Sequence, residues 1–217
     1  MFKIKSFTFN PFSENTYILY DETKEALIID PGCYEKQEKG ILYDFIAQEK
    51  LKPVKIINTH CHVDHVLGNA FVKKTYSLPL WYHAEEEQIL KAVSTYAPNY
   101  GFAQYQESKA DHFLQEGEIV KFGKTELLPI WVPGHSPGHL VLYHKASKTL
   151  IAGDTLFQGS IGRTDLPGGD HNALISSIKE KLFSLPDDVV VYPGHGPKTT
   201  IGYEKLNNPF VGKNAAD

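Results

Sequence analysis

Residues 60–65 read His60-Cys61-His62-Val63-Asp64-His65, and they follow a β-branched run, Val54-Lys55-Ile56-Ile57-Asn58. A chain with this order must end a buried strand where several polar side chains converge, which few folds allow. Neutral imidazole nitrogen and carboxylate oxygen are the ligands that a borderline divalent cation takes. In extended backbone, residues two apart face the same way. His60, His62 and Asp64 are therefore expected on one side, with Cys61 and Val63 on the other. His65 breaks the alternation and predicts a turn there, with Gly68 close enough to permit it. Two ligand pairs diverging from one turn suit two metal ions better than one. With 10 His in 217 residues some clustering is expected. A solvated histidine tract, however, would have neither the apolar strand before it nor the helix-like stretch 67–74 after it.

The length suffices for one substantial domain and is short for two, so residues 1–217 are expected to form a single domain. A net charge of -4 argues against the clustered basic face that nucleic-acid binding needs. No apolar run approaches a membrane span. The N-terminus, residues 2–9, alternates like a strand and lacks the continuous apolar core of a signal peptide. Two cysteines occur, Cys33 and Cys61. Both are expected as buried thiols, and a cytoplasmic location is the expectation.

Strands are predicted at 2–9, 16–20 and 26–29, the last running into Asp30-Pro31-Gly32. A helix follows with Ile41, Leu42, Phe45 and Ile46 on its apolar face, ended by Lys52-Pro53. Strand 54–58 then delivers the histidine motif. A second helix begins after His83, since Glu85, Glu86 and Glu87 suit the positive end of a helix dipole. Residues 97–115 show no period and read as a long loop, a common form for an active-site lid. Strands return at 118–122, 125–132, 140–144 and 149–152. A helix capped by Asp170 buries Leu174, Ile175, Ile178 and Leu182. Pro186 ends it, and strand 189–192 closes the series. Strands-then-helix thus occurs twice, which points to two similar halves and to an α/β class.

Three later segments share a context, a polar ligand type beside glycine just after a strand. They are Pro133-Gly134-His135-Ser136-Pro137-Gly138-His139, Gly153-Asp154-Thr155 and Pro193-Gly194-His195-Gly196. Glycine there lets backbone approach closely and sets sharp loop geometry. His83, His112, His144 and His171 lack ligand spacing and read as surface or hydrogen-bonding residues.

From Asn15-Thr16-Tyr17 through Asp30-Pro31-Gly32 and the HxHxDH motif to Pro193-Gly194-His195-Gly196, the chain resembles the metallo-β-lactamase superfamily. The resemblance implies a four-layer αββα sandwich and two divalent metal ions, zinc first with iron or manganese as alternatives. It puts His60, His62 and His135 on one metal and Asp64, His65 and His195 on the other, with Asp154 bridging. Asp30 becomes the residue that orients the ligand loop, and His139 a structural one. The implied activity is hydrolysis by a metal-bridged hydroxide, with Asp64 also orienting the nucleophile. The run Gly153-Asp154-Thr155-Leu156-Phe157 with Gly162-Arg163 is similar to the hydroxyacylglutathione hydrolase (glyoxalase II) branch. It implies a small thioester substrate that Arg163 helps to bind, with no nucleic-acid or membrane partner. The chain stops soon after Phe210, where classical members of that branch continue into a basic helical extension. A lactone or ester hydrolase of the same fold stays open. So do a mononuclear-iron persulfide dioxygenase, of which Thr59-His60-Cys61-His62 is reminiscent, and a non-catalytic metal-binding module.

Overall fold

The strands form two separate sheets: Val120–Phe122 and residues 125–129 alternate buried with exposed residues, whereas Glu14–Tyr20 and Thr149–Gly153 are buried throughout. The computed structural model describes residues 2–213 and 215. The chain divides into two compact units. Unit 1 runs to Leu114 and includes Lys121–Glu126; unit 2 comprises Gln115–Val120 and the chain from Leu127 onward.

Unit 1 carries strands β1 (Lys3–Phe9), β2 (Glu14–Tyr20), β3 (Glu25–Ile29), β4 (Lys52–Ile57), β5 (Leu80–Tyr82) and β6 (His112–Phe113), in that order across one sheet. β1, β2 and β3 pair antiparallel, whereas β3 to β6 run parallel. Its helices are α1 (Lys36–Gln48), α2 (Val63–Val66), α3 (Asn69–Tyr76) and α4 (Glu87–Tyr96). Ile18, Ile28, Ile56, Leu42, Ile46 and Val72 share its core. Each such side chain withdrawn from water contributes about 1.5–3 kcal/mol.

The second sheet has the order β14-β13-β10-β9-β8-β7. Its strands are β7 (Val120–Phe122), β8 (Thr125–Trp131), β9 (Leu140–His144), β10 (Thr149–Gly153), β13 (Val190–Pro193) and β14 (Thr199–Thr200). A two-stranded hairpin, β11 (Leu156–Phe157) and β12 (Ser160–Ile161), follows β10. Helices α5 (His171–Ser177) and α6 (Ile201–Asn207) complete unit 2. Asp170 caps α5 by accepting the Ala173 N–H at 2.9 Å, as its sequence position predicts. β8 and β10 are each antiparallel to β9, and β13 is parallel to β10. β8, β10 and β13 therefore point the same way and end on one edge of the sheet.

Several sequence expectations need correction. Ile41 is exposed, so the buried side of α1 is narrower than the apolar spacing suggests. Lys52-Pro53 does not end α1. It opens β4, where the register against β3 slips between Ala26 and Leu27, an irregularity of the kind that accommodates proline in a strand. Residues 97–115 are not one open loop. Ala97–Tyr100 is a 3₁₀ turn, β6 pairs with β5, and Phe102 and Leu114 are buried. The Gln104 N–H donates to the Tyr34 hydroxyl and the Ala110 N–H to that of Tyr82, tying the segment to unit 1. Among the described residues, no helix is long and apolar enough to cross a membrane.

Candidate metal centre

In unit 1 the ligand types leave the carboxyl end of β4 beside the end of β3, the edge at which parallel strands usually place a site. β4 ends at Ile57, the chain bends at Thr59 and His60, and His62 is extended where it precedes the single turn α2. The turn therefore comes two residues before the position predicted from alternation, and the His65 N–H closes it on the His62 carbonyl at 3.1 Å. The rings of His60 and His62 lie 4.8 Å apart and those of His60 and His65 4.1 Å apart. Gly68 is needed for space rather than for a special φ. A Cβ there would lie 2.6 Å from both the Pro31 carbonyl and Cys33 Sγ.

Asp30 organises this cluster. It sits just past β3 with φ +47, an uncommon conformation for a non-glycine residue. Its Oδ2 accepts the Thr59 hydroxyl at 2.6 Å and His65 Nδ1–H at 3.2 Å, and its Oδ1 accepts the Thr59 N–H at 2.7 Å. With that hydroxyl committed to Asp30, Thr59 Oγ1 accepts His60 Nδ1–H at 3.1 Å. One buried carboxylate thus fixes the tautomer of two imidazoles, leaving Nε2 of His60 and His65 as lone pairs. Asp64 Oδ2 lies 3.6 Å from His65 Nε2. Asn58 Nδ2 donates to the His65 carbonyl at 3.0 Å, and Asn10 Nδ2 to the carbonyls of Gly32 and Asp64, each at 3.0 Å.

Cys61 is buried and belongs with Val63 to the unit 1 core. Burial and the nearby Glu86 carboxylate push its thiol well up. Burial likewise pushes the Cys33 thiol up to about 12. Glu86 is itself buried and accepts the Cys61 N–H at 2.8 Å, pinning the middle of the motif.

In unit 2 three ligand types arrive separately, after β8, β10 and β13. Asp154 Oδ2 lies 3.6 Å from His135 Nε2 and 3.4 Å from His195 Nε2. Two donors on one cation at bond lengths of about 2.0–2.1 Å and tetrahedral angles are about 3.3–3.4 Å apart, so these spacings fit ligands sharing ions. His135 Nδ1–H donates to the Arg163 main-chain carbonyl at 2.8 Å, again turning Nε2 toward the carboxylate. A Cβ at Gly162 would lie 2.0 Å from the Asp154 carbonyl and 3.0 Å from His135 Nδ1, so no other residue fits there. The His195 side chain is 27% exposed, whereas those of His135 and Asp154 are 3% and 11% exposed, which makes His195 the solvent-facing member.

The predicted residues therefore fall into two groups. His60, His62, Asp64, His65 and Asp30 cluster in unit 1, and His135, Asp154 and His195 in unit 2. The Arg163 side chain joins neither. Its guanidinium forks onto Asp165 at 2.8 and 2.7 Å in an exposed pair, and this partner holds the Asp165 carboxyl down at about 2. Thr59, Glu86, Asn10 and the Arg163 carbonyl were missed from sequence. Thr59 could have been flagged as a hydroxyl adjoining a ligand, and Glu86 hides among three consecutive acids.

The profile of the metallo-beta-lactamase superfamily matches residues 9–195. Hydroxyacylglutathione hydrolase GloC of Haemophilus influenzae is 38% identical over 202 residues, covering 92% of this chain and 93% of its own. Among solved structures, the BLEG-1 B3 metallo-beta-lactamase superposes with a TM-score of 0.88 at 38% identity, covering 96% of this chain and 99% of that one. TTHA1623, solved in a di-iron-bound form, has a TM-score of 0.85 at 36% identity, covering 95% and 99%. With the α/β sheets and the two His/Asp clusters, these matches show that the chain belongs to the metallo-β-lactamase superfamily of metal-dependent hydrolases.

Proposed function

We propose that both units act as one catalytic domain whose two ligand clusters complete a binuclear centre. His60, His62 and His135 would hold one ion and Asp64, His65 and His195 the other, with Asp154 shared by both. The observation that carries this reading is the arrangement of Nδ1 nitrogens. On His60, His65 and His135 each is engaged by a protein acceptor, so each Nε2 is a prepared ligand. All donors are nitrogen or oxygen, which suits zinc and equally admits iron or manganese. The di-iron form of TTHA1623 supports iron as the second choice.

When bound, such ions supply an acidified water and a Lewis acid for a carbonyl oxygen. The chain's own residues do the rest. Asp64 accepts a hydrogen bond from the attacking water and orients it. Asp30, through Thr59 and directly, keeps His60 and His65 in the required tautomer. No serine or cysteine nucleophile is needed, and both thiols are buried and un-ionised. The substrate is a small thioester of the hydroxyacyl-glutathione type, hydrolysed in the cytoplasm. This reading is supported by the 38% identity to GloC over nearly the whole of both chains. Hydrolysis of a β-lactam amide is the second reading, since BLEG-1 is as similar in sequence.

A substrate panel on metal-analysed protein tests the assignment. It holds a hydroxyacyl-glutathione thioester, a lactone, a β-lactam, glutathione persulfide and a phosphodiester. The thioester is expected to be turned over fastest. Faster lactone or β-lactam hydrolysis would overturn the substrate, and persulfide oxidation with a single iron would overturn the reaction class.

A further inference from the structure

His139 is fully buried, and its Nε2 accepts the Asp154 backbone N–H at 3.0 Å. Its own carbonyl accepts the Val132 N–H at 2.8 Å, closing the base of the loop that carries His135. One residue is therefore bonded both to the His135 loop and to the residue that supplies the carboxylate.

The sheet register shows why a side chain is needed there. β9 and β10 pair Thr149 with His144, Leu150 with Tyr143 and Ile151 with Leu142. Continuing that register by three places sets His139 opposite Asp154. The backbone leaves the regular ladder before it gets there: Gly153 has φ +48, and the pairing of β10 with β13 slips between Ile151 and Gly153. At the position where a strand would offer a carbonyl to Asp154, the chain offers an imidazole. The bend frees the Asp154 carboxylate to reach toward His135 and His195, while the imidazole keeps its backbone anchored. A buried N–H left without an acceptor costs about 1–3 kcal/mol, so this anchor is strong enough to set geometry.

We infer that His139 is a positioning residue, one that holds Asp154 at the spacing from His135 and His195 required for metal binding. The inference rests on the binuclear reading above. It assigns His139 no contact with metal or substrate.

Two substitutions of similar length separate acceptor from bulk. In His139→Gln the amide oxygen can take the Asp154 N–H, whereas in His139→Met the thioether is a poor acceptor. Zinc affinity of the metal-free proteins is read by competition with a chromophoric chelator, with thermal unfolding of the same samples measured in parallel. His139→Met is expected to bind zinc about tenfold more weakly or worse, with the metal-free protein unfolding close to the Gln variant, and His139→Gln to stay within about threefold of wild type. Equal affinities in the two variants, whether both retained or both lost, would overturn the inference. Failure of His139→Met to fold would also overturn it, by making His139 a requirement of folding rather than of metal binding. The wild-type titration judges the underlying reading separately. Fewer than two zinc ions per chain refutes the binuclear centre, and the variant ratio on the remaining ion still decides the role of His139.

Discussion

The two clusters of candidate ligands are built in opposite ways. In unit 1 four ligand types come from six consecutive residues and are held by side chains, with Asp30 reaching Thr59 and His65, and Glu86 reaching Cys61. In unit 2 three ligand types come from three strand ends. His135 is oriented by a main-chain carbonyl, that of Arg163. A side-chain orienter can be deleted by one substitution, whereas a main-chain orienter survives any replacement that keeps the backbone path. The unit 1 cluster should therefore be fragile at residues that are not ligands. The unit 2 cluster should be fragile at the ligands, at the backbone positions packed against them, and at His139, the one side chain inferred to anchor a ligand there.

The largest expected effect is at Asp154, the residue proposed to bridge the two ions. Asp154→Ala removes a carboxylate oxygen lying within 3.6 Å of two imidazole nitrogens. Hydrolytic kcat should fall by about 10³ or more, with loss of at least one metal and little change in circular dichroism. Near-wild-type turnover with full metal content would remove Asp154 from the account.

Asp30→Ala comes next and tests the claim about orienters. Losing an orienting partner typically costs about 10–100-fold in metal affinity. Asp30 serves two imidazoles, so the upper part of that range is expected in a metal titration. A variant that binds both ions as tightly as wild type would show that the Thr59 and His65 contacts are not what prepares the ligands.

A third effect is on unit 1 stability. Burial would raise the Asp21 carboxyl, yet hydrogen bonds from Thr23, Lys124 and Thr125 outweigh it and hold the group at about 2. Because the folded value lies below the ordinary 3.8, its stabilisation is present above about pH 4 and is lost as pH falls toward 2. The shift corresponds to about 2 kcal/mol at neutral pH. Denaturant melts of Asp21→Asn at pH 7 should show a loss of that order, and the gap to wild type should close by about pH 2. A gap that is constant with pH would point to packing rather than charge.

The smallest effect belongs to Arg163. Its guanidinium is already paired with Asp165 at the surface, and exposed pairs are worth about 0.2–1 kcal/mol. Arg163→Ala keeps the carbonyl that orients His135, so metal content should not change. Its kcat/KM should fall by less than about fivefold, more for an anionic thioester than for a neutral one of similar acyl group. Equal losses on both would exclude a charge role for this side chain.

The same contrast explains what the sequence disclosed. The unit 1 ligands are contiguous, so their chemistry is legible in the hexapeptide, and the strand before it fixes where they emerge. His135, Asp154 and His195 are individually ordinary. They became legible through a shared context of strand end plus glycine, and through the family pattern. Alternation put the turn at His65 because one-dimensional spacing registers neither the bend at Thr59 and His60 nor a helix beginning at Val63. The orienting contacts were largely hidden. Glu86 lies 25 residues from Cys61 and reads as one acid among three. The acceptor for His135 is a backbone carbonyl, which no residue type announces. Ile41 sat in the apolar spacing of α1 yet faces solvent, because spacing defines a stripe but not how wide a face the neighbouring sheet covers.

The central claim is that the two clusters share a pair of ions through Asp154. Anomalous diffraction at the metal edge, on crystals of the reconstituted full-length protein, tests it most directly. The account predicts two anomalous peaks per chain about 3.5–4 Å apart, with the Asp154 carboxylate between them. A single peak at full occupancy, or two peaks too far apart for one carboxylate to reach both, would contradict it.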